Sequence, residues 1–250
     1  MLYDLILEKH NKEKLMVLLI DPDKHDDESL KRTVDIANRA GINFFLIGGS
    51  IISKSINDKI VTIKQNSQLP VFLFPGNLLQ LCDQADGILF LSLISGRNPE
   101  FLIGNHVLAA PFLKNTKMEV IPTSYILIDT GQPTAVEYMS NTSPIPANKP
   151  EIAVATALAG EMLGHKLVYL EGGSGAGHTV NVKLIQEVKR NISIPLIVGG
   201  GIRTTKQANE IFDAGADIIV IGNIAEENPL VMFDLISSAD PKAKLFFNKS

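Results

Sequence analysis

Three stretches late in the chain decide the fold: K-L-V-Y-L-E-G-G-S-G-A-G (166–177), P-L-I-V-G-G-G-I-R (195–203) and D-I-I-V-I-G-N (217–223). Each is a short apolar run that ends in glycine and opens onto a helix-like segment. Apolar residues at nearly every position, without alternation, mark a strand buried on both faces, as in a parallel sheet. Backbone N–H groups with no side chain in the way, at the start of a helix, are the donors a phosphate monoester takes. A single G-G would read as a tight turn and no more. Three such turns at consecutive strand ends indicate one shared anion site.

Working outward, five earlier runs have the same character: Lys14–Ile20, Asn43–Ile47, Pro70–Phe74, Gly87–Ser92 and Glu119–Asp129. With Lys166–Leu170, Pro195–Val198 and Asp217–Ile221 they make eight. Between them lie amphipathic segments, among them Ser29–Ala40, Glu151–Leu163, Val180–Arg190 and Thr204–Ala214. This alternation predicts a closed β/α barrel of the phosphate-binding type, a modified (β/α)8 TIM barrel. The echo between A-G-I-N-F-F-L-I-G-G (40–49) and A-G-A-D-I-I-V-I-G-N (214–223) fits a repeated βα unit. The third unit is thin, because Gly76–Gln84 holds little more than two helical turns, so its helix is expected to be short or missing. The expected organisation is one domain over 1–250, with an irregular insertion at about 130–150 carrying Pro133, Pro144, Pro146 and Pro150. Such a segment is a surface excursion or a lid.

Composition narrows the function. The chain has 250 residues, 45% of them apolar, enough for a full core. Its formal charge, 23 − 27 = −4, gives no electrostatic case for nucleic acid. One cysteine, Cys82, excludes an internal disulfide framework and fits a reducing compartment. The first residues, M-L-Y-D-L-I-L-E-K-H, lack the pattern of a signal peptide. No apolar stretch approaches the roughly 18–20 residues that span a bilayer. A cytoplasmic protein, with at most peripheral membrane contact, is expected.

In a β/α barrel the chemistry sits at the C-terminal ends of the strands. Asp21 ends the first run. It serves there either as a turn cap or, with its side chain toward the mouth, as an oxygen ligand bridging a hard cation to a polyphosphate. Ser50, at the neighbouring strand end, can add a second oxygen. Asp23, Asp26 and Asp27 read as turn and cap residues. Glu171 follows an apolar strand into a glycine rim with no cation beside it in sequence, so it is placed to bind a hydroxyl and accept its proton. Tyr169, two residues earlier, shares its face of the strand. His10, His25, His106, His165 and His178 show no metal-ligand spacing, and Cys82 has no activating neighbour. Phe101-Leu102-Ile103 and Val107–Leu113 read as core. A sugar-phosphate isomerase or lyase would use a pair of acids across the mouth, and Asp21 with Asp129 is the one pair on offer. A non-catalytic phosphometabolite-binding subunit is the third reading.

Taken together, L-L-I-D-P-D-K (18–24), I-G-G-S (47–50), F-P-G-N (74–77), A-D-G-I-L-F-L-S-L-I-S-G-R-N-P (85–99) and the three glycine stretches resemble the geranylgeranylglyceryl phosphate synthases and the related heptaprenylglyceryl phosphate synthases. The resemblance covers most of the chain. It implies a Mg²⁺-dependent prenyltransferase of phospholipid biosynthesis that joins the 3-hydroxyl of sn-glycerol 1-phosphate to C1 of a polyprenyl diphosphate, here geranylgeranyl diphosphate. It further implies Mg²⁺ at Asp21 and Ser50, and glycerol phosphate held by Tyr169, Leu170, Glu171, Gly172, Gly173, Ser174 and Gly175. Gly200, Gly201, Gly222 and Asn223 would take the phosphate, Glu171, Tyr169 and Asp21 would be the catalytic set, and a homo-oligomer is expected. The heptaprenyl type carries a lysine two positions before its first aspartate, where this chain has Leu19, which argues against that subgroup. Many relatives have alanine where Gly172 stands.

Overall fold

Eight parallel strands pair in chain order, and the last closes on the first. They are β1 (Leu15–Ile20), β2 (Phe44–Ile47), β3 (Val71–Leu73), β4 (Gly87–Leu93), β5 (Glu119–Leu127), β6 (Leu167–Glu171), β7 (Leu196–Gly199) and β8 (Ile218–Ile221). Leu18 lies opposite Ile221, the register that shuts the barrel. The computed structural model describes residues 1–10 and 13–239.

The unbroken apolar runs follow from this closure. Leu15, Val17, Phe44, Leu46, Tyr169 and Ile197 point into the barrel, whereas Met16, Leu18, Phe45, Ile47, Leu170 and Val198 alternate with them toward the helices. Both faces are dry, so no position can be polar without a partner.

Helix α1 (Leu2–His10) precedes the barrel and covers its N-terminal end. Its Ile6 is fully buried in the inner cluster beside Leu15 and Phe44, and the Tyr3 N–H donates to a Glu119 carboxylate oxygen at 3.1 Å. The outer ring begins with α2 (Asp27–Ala40), capped by the Asp26 side chain accepting from Ser29 N and ended by Gly41 at φ 95°. Next is α3 (Ile56–Asn66). After β3 the ring is interrupted: a single 3₁₀ turn, Leu78–Gln80, stands where a third helix would be. A π turn over Glu100–Gly104 then runs into α4 (Asn105–Lys114).

The stretch 130–150 is not structureless. It holds α5 (Ala135–Ser140), capped by Thr134, and a bridge from Ile128 to Ile145. The ring continues with α6 (Pro150–Met162), α7 (Val182–Asn191) and α8 (Thr205–Asp213) and ends with α9 (Asn223–Glu227) and α10 (Val231–Ala239).

Because Ile6 fills the base of the barrel, far from the strand ends that carry the chemistry, its loss should separate stability from activity. Ile6→Ala is expected to cost about 2–5 kcal/mol in urea unfolding, with ligand affinity at the mouth unchanged.

Candidate active site

A cavity of about 390 Å³ opens at the C-terminal ends of the strands. One wall is made by Ser174, Gly175, Gly200, Gly201, Gly222 and Asn223, and another by Asp21, Gly49 and Ser50. A third wall is apolar, with Leu78, Leu81, Ile88, Phe90, Phe101 and Ala109. Ile88 belongs to the layer outside the barrel, yet it lines this space. The cavity therefore runs from the mouth over the rim into the gap left by the missing third helix.

Glu171 is the last residue of β6 and is only 5% exposed. Its Oε1 accepts from Gly173 N at 2.6 Å, and the hydroxyls of Tyr125 and Tyr169 donate to the same carboxylate. Burial raises its pKa, and these three hydrogen bonds hold back part of that rise. Burial, reinforced by the charge of Glu171, pushes both phenols well above their ordinary value, so they stay neutral donors. Tyr125 lies opposite Tyr169 in the β5–β6 register. Their rings meet edge to face at 5.4 Å and both pack on Phe74, at 5.8 and 5.3 Å. This fixes where the hydroxyls point.

The glycines over this group are dictated by it. A Cβ on Gly199 would lie 2.1 Å from Tyr169 Oη. Gly200 has φ +86°, and a Cβ there would lie 2.8 Å from Glu171 Oε1. The turn is sewn together by Gly172 N to Gly199 O at 2.9 Å and by Ser174 Oγ donating to Asn223 Oδ1 at 3.1 Å. Thr130 Oγ1 donates to Gly172 O at 2.8 Å, and Ala135 and Val136 line the cavity. The segment 130–150 thus packs against the turn. Gly172 and Gly173 shape the turn without lining the cavity. Leu170 is a correction to the implied ligand set, since alternation along β6 sends its side chain into the outer layer.

On the opposite side, Asp21 Oδ1 caps the following 3₁₀ turn by accepting from Asp23 N at 3.0 Å. Its Oδ2 faces Gly49, 3.7 Å from where a Cβ would stand. Asp21 is thus both turn cap and mouth residue. Asp23 accepts from Ser53 N at 2.9 Å and Lys54 N at 2.8 Å, tying the end of β1 to the loop that bears Ser50. Gln80, buried on the 3₁₀ turn, accepts from Gly76 N at 3.0 Å and donates to Gly49 O at 2.6 Å. An all-oxygen donor set of one carboxylate and one hydroxyl fits a hard divalent cation rather than a soft one. Among the described residues no group of three or more His, Cys, Asp or Glu side chains could hold a metal by themselves.

Several cavity residues escape a reading of the sequence, among them Tyr125, Glu226, Arg203 and Phe101. Tyr125 is concealed in a long strand, and only the β5–β6 register brings it opposite Tyr169. Glu226 sits in the first turn after I-G-N, with its pKa raised by burial and then by the nearby Asp21. Arg203 directly follows G-G-G-I, and Phe101, packed against the inner core cluster, also faces the cavity. Of the remaining candidates, only His106 reaches the cavity wall among the described residues. Asp129 is exposed, caps Gly131 N at 2.8 Å and does not reach the cavity, so among the described residues no aspartate pair spans the mouth. His25 and His106 are buried, and His106 touches the cavity wall with Nε2 on Ser92 Oγ at 2.9 Å. His165 Nδ1 bonds Ser124 Oγ at 2.7 Å, and the side chain of His10 lies outside the described residues. Burial pushes the Cys82 thiol up, as expected of an unreactive cysteine.

A carboxylate whose pKa folding raises is harder to ionise in the folded state than in the unfolded chain. Glu171 therefore weakens the fold above the ordinary carboxylate range, and protonation at lower pH relieves this. Glu171→Gln is expected to be more resistant to urea than the unaltered protein at neutral pH. The gap should narrow as pH falls to about 4.5, and a pH-independent gap would contradict the assignment.

Comparison with known proteins agrees with this fold. The PcrB family pattern matches residues 8–240. The geranylgeranylglyceryl phosphate synthase of Spirosoma linguale is 47% identical over 221 residues, covering 86% of this chain and 87% of that protein. The protein of the same name from Thermococcus kodakarensis is 44% identical over 224 residues, 89% of this chain and 88% of that one. The crystal structure of (S)-3-O-geranylgeranylglyceryl phosphate synthase from Thermoplasma acidophilum with sn-glycerol-1-phosphate superposes with a TM-score of 0.91 at 35% identity, covering 96% of this chain and 98% of that one. A Clostridium perfringens N-acetylmannosamine-6-phosphate 2-epimerase, at 14% identity and TM-score 0.58, shares the fold alone. This chain belongs to the PcrB family.

Proposed function

We propose that this chain transfers a geranylgeranyl group from its diphosphate to the 3-hydroxyl of sn-glycerol 1-phosphate, forming an ether and releasing diphosphate with the help of Mg²⁺. The observation that carries the reading is the pairing of two unlike compartments in one cavity. A buried carboxylate with two phenol donors lies beneath glycine turns, and an apolar arm leads away through the gap after β3. The first compartment suits a small phosphorylated polyol. The second suits a long hydrocarbon.

Charge supports the need for a cation. The acidic and basic side chains on the described cavity wall, histidine aside, are Asp21, Glu171, Glu226 and Arg203, which sum to −2 when ionised. Two strongly anionic substrates would meet repulsion there without added positive charge. Asp21 and Ser50 would hold the ion, which when bound would neutralise the departing diphosphate and so make it a better leaving group. Glu171 accepts the hydrogen bond of the attacking hydroxyl and receives its proton as the C–O bond forms, while Tyr125 and Tyr169 keep the carboxylate aimed. Ser174 and Asn223, joined to each other, fix the edge of the phosphate turn. Orientation of the hydroxyl toward C1 is the main contribution, because an allylic carbon losing diphosphate is already electrophilic.

No helix among the described residues is long and apolar enough to cross a membrane. We read the chain as a cytoplasmic enzyme that takes its long-chain substrate by peripheral contact. Exposed Ile103, Val107, Leu108 and Phe112 around α4 support self-association.

Purified protein assayed with geranylgeranyl diphosphate and sn-glycerol 1-phosphate should form the ether, stop with a chelator and recover with Mg²⁺. Glu171→Gln and Asp21→Asn should each lower turnover about 10²–10⁴-fold. Phe101→Ala enlarges the apolar wall and should shift the preferred prenyl diphosphate toward longer chains. Binding of glycerol phosphate with no ether formed from any prenyl diphosphate would instead favour a non-catalytic binding subunit.

A further inference from the structure

Arg203 is the only lysine or arginine among the described residues that line the cavity. It comes two residues after Gly201, on the wall that Gly200, Gly201, Gly222 and Asn223 share. Its backbone is anchored: Arg203 N donates to Gln207 Oε1 at 2.9 Å, and Gln207 belongs to the Thr204 capping box at the start of α8. The guanidinium at the far end is held loosely. Arg203 Nη1 lies 3.5 Å from Glu227 Oε2, with the two side chains 45% and 59% exposed. An ion pair of that length and exposure contributes little, so the guanidinium can leave it for a better anion.

We propose that Arg203 is a specificity-determining residue that binds the phosphate of the three-carbon substrate, exchanging its exposed contact with Glu227 for that phosphate. The inference rests on the glycerol-phosphate reading above and deepens it. The glycine turns supply backbone dipoles but no net charge, and the carboxylates on the wall all oppose a phosphate dianion. Asp21 and Ser50 lie on the β1–β2 side, whereas Arg203 lies between the ends of β7 and β8 with the glycines. A planar guanidinium can give two parallel hydrogen bonds to a phosphate, a geometry that an ammonium group cannot reproduce. The chain thus has its own cation for the headgroup and leaves the diphosphate to the opposite wall.

Steady-state kinetics of the full chain tests this, with the KM for each substrate and kcat measured separately at two ionic strengths. Arg203→Ala is expected to raise the KM for glycerol 1-phosphate about tenfold, with kcat and the KM for geranylgeranyl diphosphate unchanged. The dependence of that KM on salt should also flatten. Arg203→Lys should recover part of the loss, and Glu227→Gln should leave the KM unchanged or lower it. An unchanged KM for glycerol 1-phosphate in Arg203→Ala, or a rise in the KM for the diphosphate instead, overturns the proposal while leaving prenyl transfer standing. If the unaltered protein forms no ether from glycerol 1-phosphate, the underlying reading fails and takes this inference with it.

Discussion

The structure turns on a buried carboxylate that has no cation beside it among the described residues. Glu171 is held by one backbone N–H and two phenols, all neutral donors, in a space from which water is largely excluded. Neutral donors stabilise a carboxylate less than a salt bridge would, so the group remains poised toward protonation. A salt-bridged glutamate would be a poor base and a poor partner for a hydroxyl. The surrounding residues follow from this constraint. Phe74, Tyr125 and Tyr169 stack to fix the phenols, and Gly199 and Gly200 are small because Tyr169 Oη and Glu171 Oε1 occupy the space a side chain would need.

The second organising feature is the interrupted helix ring. A full helix after β3 would cover Ile88 and Phe90. The 3₁₀ turn leaves them in a cavity continuous with the polar mouth. Gln80, in that turn, bonds both Gly49 and Gly76, so the opening is braced across two loops. One barrel thereby offers a polar end and an apolar arm that meet at the end of β6. The stretch 130–150 completes the enclosure, with α5 laid against the glycine turn.

Much of this was legible in the sequence. All eight strands were located, most of them as near-continuous apolar runs, because a closed parallel barrel buries both faces of every strand. Asp21, Ser50, Glu171 and the glycine ends could be located because strand ends in this fold face one mouth. The thin third unit was visible as a shortage of residues. The groups that were hidden depend on cross-chain proximity. Tyr125 is one more aromatic residue in a strand until its register with Tyr169 is known. Glu226 and Arg203 look like ordinary helix-flanking charges until the loops after β7 and β8 converge. Leu170 was drawn into the ligand set by its neighbours, whereas pleating turns it outward. The helix inside 130–150 was obscured by prolines that in fact lie outside it.

The most direct test is the ionisation of Glu171 itself. Carboxyl groups labelled with ¹³C and assigned by comparison with Glu171→Gln can be followed by NMR across pH, with and without sn-glycerol 1-phosphate. The expected result is a Glu171 carboxyl that titrates above the ordinary carboxylate range and whose titration moves when glycerol 1-phosphate binds. A carboxyl that titrates like a free glutamate, unmoved by the ligand, would contradict the central claim.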